Sequence, residues 1–215
     1  MSAGARRIVK VCGLTRAEDA AWAIACGADW LGYIVAAGGP REIGPDGMAA
    51  IVATLPAATV NVAVLADVGP DAALALGRRA HASRLQLHRC DTAAWPADFP
   101  LPCAFVTSVD TEGHAQPALA PEPHLVQLDT AHATLSGGTG QVFPWASARA
   151  LCGSRPFLLA GGLGPDNVAE AIRVATPYGV DASSRLETAP GIKDRELVLA
   201  FVRAARDAFG AQLGD

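Results

Sequence analysis

Cys12 closes a short apolar run, residues 8–11, and is followed at once by Gly13, which keeps the approach to its thiol open. Lys10 lies two residues earlier on the same strand. A free thiol titrates near 8.5, so a modest depression makes it a base near neutrality. A buried cysteine without chemistry is the other reading of the position. Asp129 terminates the run His124-Leu125-Val126-Gln127-Leu128 and precedes a loop containing Gly137-Gly138-Thr139-Gly140. It reads as a general acid or, equally, as the cap of a turn. Arg41, presented rigidly after Gly39-Pro40, carries the planar fork that clamps a carboxylate, against the reading of a solvated loop arginine. His88 suits a satisfied core position as well as a ligand-facing one, and Asp67 is singled out by location alone.

The stretch 157–194 adds an anion site to these groups. An apolar run, 157–160, ends in Gly161 and Gly162, and the pattern predicts a helix from Gly164-Pro165-Asp166 with Pro165 in its first turn. Asp166 and Asn167 then read as capping and first-turn charge. A second strand, 178–182, ends in Ser183 and Ser184. Consecutive strand-to-helix turns of this composition aim backbone N–H groups and hydroxyls at one anion.

Positioning such groups together is the work of the elements between them. Strand-like and helix-like runs alternate along all 215 residues: strands at 8–11, 30–35, 60–65, 84–87, 103–107, 124–128, 157–160 and 178–182. Helices are expected at 16–26, 45–55, 70–80, 145–152 and from 194 to about 209, with only a weak one around Ala93. The connection 108–123, with three prolines and a glycine, leaves room for a short helix or none. Eight strand–helix units without linker or repeat predict a single (β/α)8 barrel domain over residues 1–215, with an open doubly wound sheet as runner-up. In such a barrel the loops after strands seven and eight are where phosphate usually binds, and these side chains all fall at the strands' C-terminal ends.

Composition narrows the partners. With 51% hydrophobic and 18% charged residues, a net charge of −4 and no basic stretch beyond Arg78-Arg79, the chain predicts a globular protein that takes no nucleic acid. No apolar run approaches the roughly 20 residues of a membrane span, and the N-terminus lacks a signal-peptide pattern. Five scattered cysteines without CxxC spacing predict reduced thiols in a cytoplasm, and neither they nor the five histidines form a metal motif.

Taken together, KVCGLTRAEDA (10–20), GADWLGYIV (27–35), PRE (40–42), LQLH (85–88), VQLDT (126–130), GGTGQVFPW (137–145), LLAGGLGPDNVAEAI (158–172) and YGVDASS (178–184) resemble the phosphoribosylanthranilate isomerases of tryptophan biosynthesis. The resemblance spans nearly the whole chain in the family's order. It implies an Amadori rearrangement of a small phosphorylated substrate, no cofactor, and a monomer or homodimer. Asp129 would be the general acid that opens the furanose ring, and Cys12 the general base that takes the proton from ribose C2. Arg41 would hold the anthranilate carboxylate, and Gly162, Ser183 and Ser184 the 5-phosphate. His88, Gly138, Gly161 and Asp181 would complete the substrate site. The related isomerase of histidine biosynthesis has a two-aspartate pattern, which Cys12 disfavours. A non-catalytic phosphate-binding barrel would keep the Gly and Ser turns but have no use for the thiol and carboxylate.

Three positions depart from the family's pattern. Arg185-Leu186 stand where Gly-Val usually follows the two serines, Arg89 stands where Gly follows LQLH, and Gly39 replaces Ser before Pro40. Arg185 sets a cation beside the expected phosphate and removes the freedom of glycine at a tight turn.

Overall fold

The computed structural model describes residues 7–130 and 143–213. Eight strands form a closed parallel barrel: β1 (Ile8–Val11), β2 (Trp30–Ala36), β3 (Val60–Ala66), β4 (Arg84–His88), β5 (Cys103–Val109), β6 (Leu125–Thr130), β7 (Phe157–Leu159) and β8 (Gly179–Ala182). Each pairs with its neighbours in sequence, and β1 closes the ring by pairing with β8, Lys10 beside Asp181. The helices α1 (Ala17–Ala25), α2 (Gly44–Val52), α3 (Pro70–Arg79), α4 (Trp145–Cys152), α5 (Val168–Ala175) and α6 (Arg195–Leu213) surround it.

The strands are buried on both faces: the outer face is apolar under the helices, and the inner face mixes apolar residues with buried polar ones. Residues such as Val9, Val11, Leu31, Tyr33 and Leu65 point outward into the core shared with the helices, whereas Ile8, Trp30, Val62 and Leu158 plug the lower barrel as a separate cluster. Side chains alternate along a strand, so Ile8, Lys10 and Cys12 climb one inner face in turn.

Several elements differ from the sequence expectation. Between β4 and β5 there is only a 3-10 turn, Thr92–Ala94, capped by the Asp91 side chain, which accepts from Ala93 N–H at 3.0 Å. The β5–β6 connection holds a two-residue strand, Ala115–Gln116, antiparallel to the end of β5. Asp129 lies inside β6, opposite Ser108, rather than beyond the strand's end. Helix α5 starts at Val168, not at Gly164, because Asn167 Oδ1 accepts from Gly164 N–H at 2.8 Å and folds residues 164–167 into a separate turn. A hairpin of Glu187–Ala189 and Ile192–Lys193, unforeseen in the sequence, follows β8.

Among the described residues no helix is long and apolar enough to cross a membrane, and no cluster of His, Cys, Asp or Glu is placed to hold a metal ion. All five cysteines are unpaired.

Candidate active site

A cavity of about 240 Å³ opens at the C-terminal ends of the strands. Cys12, Arg41, His88, Asp129, Gly161, Gly162, Asp181, Ser183 and Ser184 all line it, so residues from β1, β2, β4, β6, β7 and β8 and their loops converge on one space. Gly138 lies outside the described residues. Asp67 sits at the rim of β3, paired with Arg89.

The floor of this cavity is polar and closed. Lys10, fully buried, donates to Asp181 Oδ2 and to Gln86 Oε1, each at 2.7 Å. Gln127 Nε2 donates to the same Asp181 oxygen at 3.0 Å. Among the described residues, Asp181 Oδ1 and Gln127 Oε1 are buried acceptors with no donor. An ion pair held this deep is tolerated where hydrogen bonds satisfy it, as the Gln86 and Gln127 side chains do here. The fourth member, Gln86, reaches His88: its Nε2 lies 2.9 Å from the ring Nε2. An amide N–H can only donate, so that ring nitrogen accepts and the imidazole is neutral with its proton on Nδ1. Burial, with Lys10 adding to it, pushes the His88 pKa down to about 4, in keeping with a neutral ring.

Cys12 stands one step above this floor. Its N–H donates to Ala182 O at 2.9 Å, which fixes the residue against β8. Space for the sulfur depends on Gly32: a Cβ there would stand 2.5 Å from Sγ. Gly13 takes φ +71°, and a Cβ on it would come within 2.6 Å of Ser183 Oγ and 2.8 Å of Arg41 Cδ. Glycine is thus required by backbone and space alike, and it lets the thiol, the cation and the serine turn crowd together. Burial raises the Cys12 thiol above its ordinary value, and Lys10 and Lys193 pull it back toward the thiolate.

Arg41 meets a partner that sequence reasoning did not supply. Its Nε lies 2.9 and 3.0 Å from the two Glu187 oxygens, and Nη2 donates to Glu187 at 2.7 Å. Lys193 donates to the same carboxylate at 2.7 Å and to Ser183 O at 3.2 Å. Burial alone would raise the Glu187 carboxyl, but its bonds to both cations hold it below the usual range. One carboxylate shared by two cations leaves a surplus positive charge at this rim, where an anionic ligand group would dock. The hairpin after β8 thereby joins the Arg41 loop to the Ser183 turn.

The match to known proteins follows this geometry. Residues 9–204 fit the family model described as N-(5'-phosphoribosyl)anthranilate (PRA) isomerase. The chain belongs to the N-(5'-phosphoribosyl)anthranilate isomerase family. It is 36% identical over 201 residues to the enzyme of that name from Trichlorobacter lovleyi, covering 93% of this chain and 98% of that protein. The crystal structure of phosphoribosyl anthranilate isomerase from Thermotoga maritima superposes with a TM-score of 0.82 at 29% identity, covering 94% and 100% of the two chains. Another such isomerase, solved in complex with reduced 1-(o-carboxyphenylamino)-1-deoxyribulose 5-phosphate, gives a TM-score of 0.79 at 27% identity with the same coverage. A family rearranging an anionic sugar phosphate by proton transfer needs a base, an acid and two anion anchors, and this cavity holds groups suited to each.

Glu187, Lys193, Gln86 and Gln127 were missing from the sequence reading, and Lys10 entered it only as a neighbour of Cys12. For the floor a signal existed. Lys10–Cys12, Gln86–His88, Gln127–Asp129 and Asp181–Ser183 are four polar pairs two residues apart, hence stacked on the inner face of four strands. For Glu187 and Lys193 there was none, since the hairpin that returns them to Arg41 is fixed only by the tertiary fold.

Proposed function

We propose that Cys12 and Asp129 carry the family's reaction in this chain as general base and general acid. The reaction is the Amadori rearrangement of N-(5'-phosphoribosyl)anthranilate to 1-(2-carboxyphenylamino)-1-deoxyribulose 5-phosphate, a step of tryptophan biosynthesis. Asp129 gives a proton to the furanose ring oxygen as its bond to C1 breaks, leaving a Schiff base between C1 and the anthranilate nitrogen. The Cys12 thiolate then takes the proton from C2, and the electron pair moves to form the enolamine. That species tautomerises to the C2 ketone, with C1 gaining a proton. No redox partner is needed, because C1 is reduced as C2 is oxidised within one molecule.

The observation that supports this reading is the placement of the thiol just after β1 and of the carboxylate on β6, both lining one cavity. Arg41 is proposed to hold the anthranilate carboxylate with the help of the surplus charge it shares with Lys193. Gly161, Gly162, Ser183 and Ser184 would hold the phosphate, with Gly138 from the neighbouring loop. The ribose hydroxyls would lie over Asp181 and Gln127, beside neutral His88. The protein is proposed to act as a monomer or a homodimer; the Thermotoga maritima relative is described as dimeric. The unpaired cysteines fit a reducing, cytoplasmic setting.

Loss of anthranilate fluorescence on mixing with phosphoribosylanthranilate measures the reaction directly. Cys12→Ser and Asp129→Asn are each expected to lower kcat by about 10²–10⁴-fold. A wild-type rate in either variant would remove that residue from its role. Absent turnover in the wild type, with phosphate-ligand binding intact, would favour a non-catalytic barrel.

A further inference from the structure

Two arginines occupy turns where the family usually has glycine, and both take the same kind of partner. Arg89, just after β4, holds Asp67, just after β3, through Nε at 3.1 and 3.0 Å and Nη2 at 2.6 Å. Arg185, in the turn after β8, holds Asp166, in the loop after β7, through Nη2 at 2.7 Å. Each arginine thus straps its loop to the loop of the preceding strand.

Only Arg185 reaches further. Its Nη1 donates to Gly162 O at 3.0 Å, and Asn167 Nδ2 donates to the same oxygen, also at 3.0 Å. The peptide is planar and trans, so a carbonyl held by two donors turns the Leu163 N–H to the opposite edge. Gly162 and Leu163 both line the cavity. Two bonds on the carbonyl also polarise the amide and strengthen its N–H as a donor. The guanidinium itself faces Asp166 and the carbonyl, so its role is not that of a phosphate ligand.

We infer that Arg185 is a positioning residue of this chain's phosphate end: it fixes the Gly162–Leu163 peptide for anion binding and keeps the Ser183–Ser184 turn docked against it. The inference rests on the reading of that end as the phosphate anchor. It explains how the glycine of the family's pattern can be replaced by a long cation without blocking the site.

The test compares Arg185→Ala, Asp166→Ala and their double variant with wild type in steady-state kinetics, with inorganic phosphate as competitive inhibitor and thermal melting alongside. Each single variant is expected to raise KM and the phosphate inhibition constant about threefold to tenfold, with kcat within about twofold, the range an exposed ion pair and one carbonyl contact can deliver. The double variant should be no worse than either single one, because both remove the same strap. Arg185→Lys, which can satisfy one of the two acceptors, should fall between. A shift in melting temperature without a change in KM or phosphate inhibition would reduce Arg185 to a structural residue and overturn the inference. Tighter phosphate binding in Asp166→Ala would also overturn it, by showing that a released Arg185 binds the anion directly. Failure of inorganic phosphate to compete in the wild type would instead reject the phosphate reading itself.

Discussion

The floor and the rim of the cavity are both built from ion pairs, yet they do different things. On the floor, Lys10 and Asp181 are 0% and 5% exposed as side chains and share their bonds with two buried amides. At the rim, Arg89 and Asp67 are each 61% exposed, and Arg185 and Asp166 are 37% and 66% exposed. Water and salt screen the rim pairs so that each contributes little, whereas removing one partner of a buried pair costs about 3–5 kcal/mol. The floor therefore sets protonation states and holds the barrel interior together, while the rim chiefly sets where loops lie. Arg41, Glu187 and Lys193 stand between the two, with Glu187 and Lys193 nearly as buried as the floor.

The largest effect should follow from breaking the floor. Lys10→Met leaves Asp181 charged and unpaired beneath the cavity, a cost of about 3–5 kcal/mol, or a melting temperature lower by roughly 10 °C in a chain of this size. Burial works against the Lys10 charge, but Asp181 and Cys12 outweigh it and raise the lysine above its ordinary value. Its stabilisation is therefore complete below the unfolded lysine pKa of 10.5 and is lost only as pH rises through the higher folded value. A melting temperature that changed by less than about 2 °C would place Lys10 with the rim pairs and erase the contrast.

The same lysines sharpen the comparison through the base. A thiol base works as thiolate, so kcat/KM should rise with pH through the Cys12 pKa, which burial places above the usual thiol value. Lys10 opposes that shift more strongly than Lys193 does. Lys10→Met should move the limb to higher pH by more than Lys193→Met does. Equal displacements, read from pH–rate profiles, would mean that the intermediate layer of Lys193 tunes the base as strongly as the floor.

Glu187 is the intermediate case. Glu187→Gln keeps the shape of the side chain but loses the charge that orients the Arg41 fork, and KM should rise about tenfold with a smaller loss in kcat. A lower KM would mean that Glu187 competes with the substrate carboxylate for Arg41 instead of presenting it.

The difference between these regions also explains what the sequence disclosed. Closure of eight units was readable because alternation and turn residues are local signals, and Cys12, Asp181 and Ser183 sit where strand ends put them. The buried polar layer was readable in principle from its two-residue spacing below the candidate site residues. Glu187 was not, because its partner Arg41 is 146 residues away and the hairpin between β8 and α6 carries no periodic pattern. The start of α5 was misplaced for a related reason. Pro165 is a sound first-turn residue, but the Asn167 side chain bonds back to Gly164 and Gly162 and delays the helix.

The smallest effect should separate the two rim arginines. Arg89 adopts φ +52° and its partner Asp67 φ +56°, left-handed conformations that side chains resist, whereas Arg185 is not among the positive-φ residues. Arg89→Gly loses an exposed, solvent-screened ion pair and gains unfolded-chain entropy, but relieves left-handed strain. These terms nearly cancel, so the melting temperature should stay within about 2 °C of wild type. KM should be unchanged, because Arg89 holds no peptide that lines the cavity. Arg185→Gly has no such strain to relieve and forfeits the Gly162 bond, so it should raise KM and lower stability together. If both glycine variants behaved alike, the two straps would be equivalent rim decoration, and the link from Arg185 through Gly162 to the phosphate end would have no energetic content.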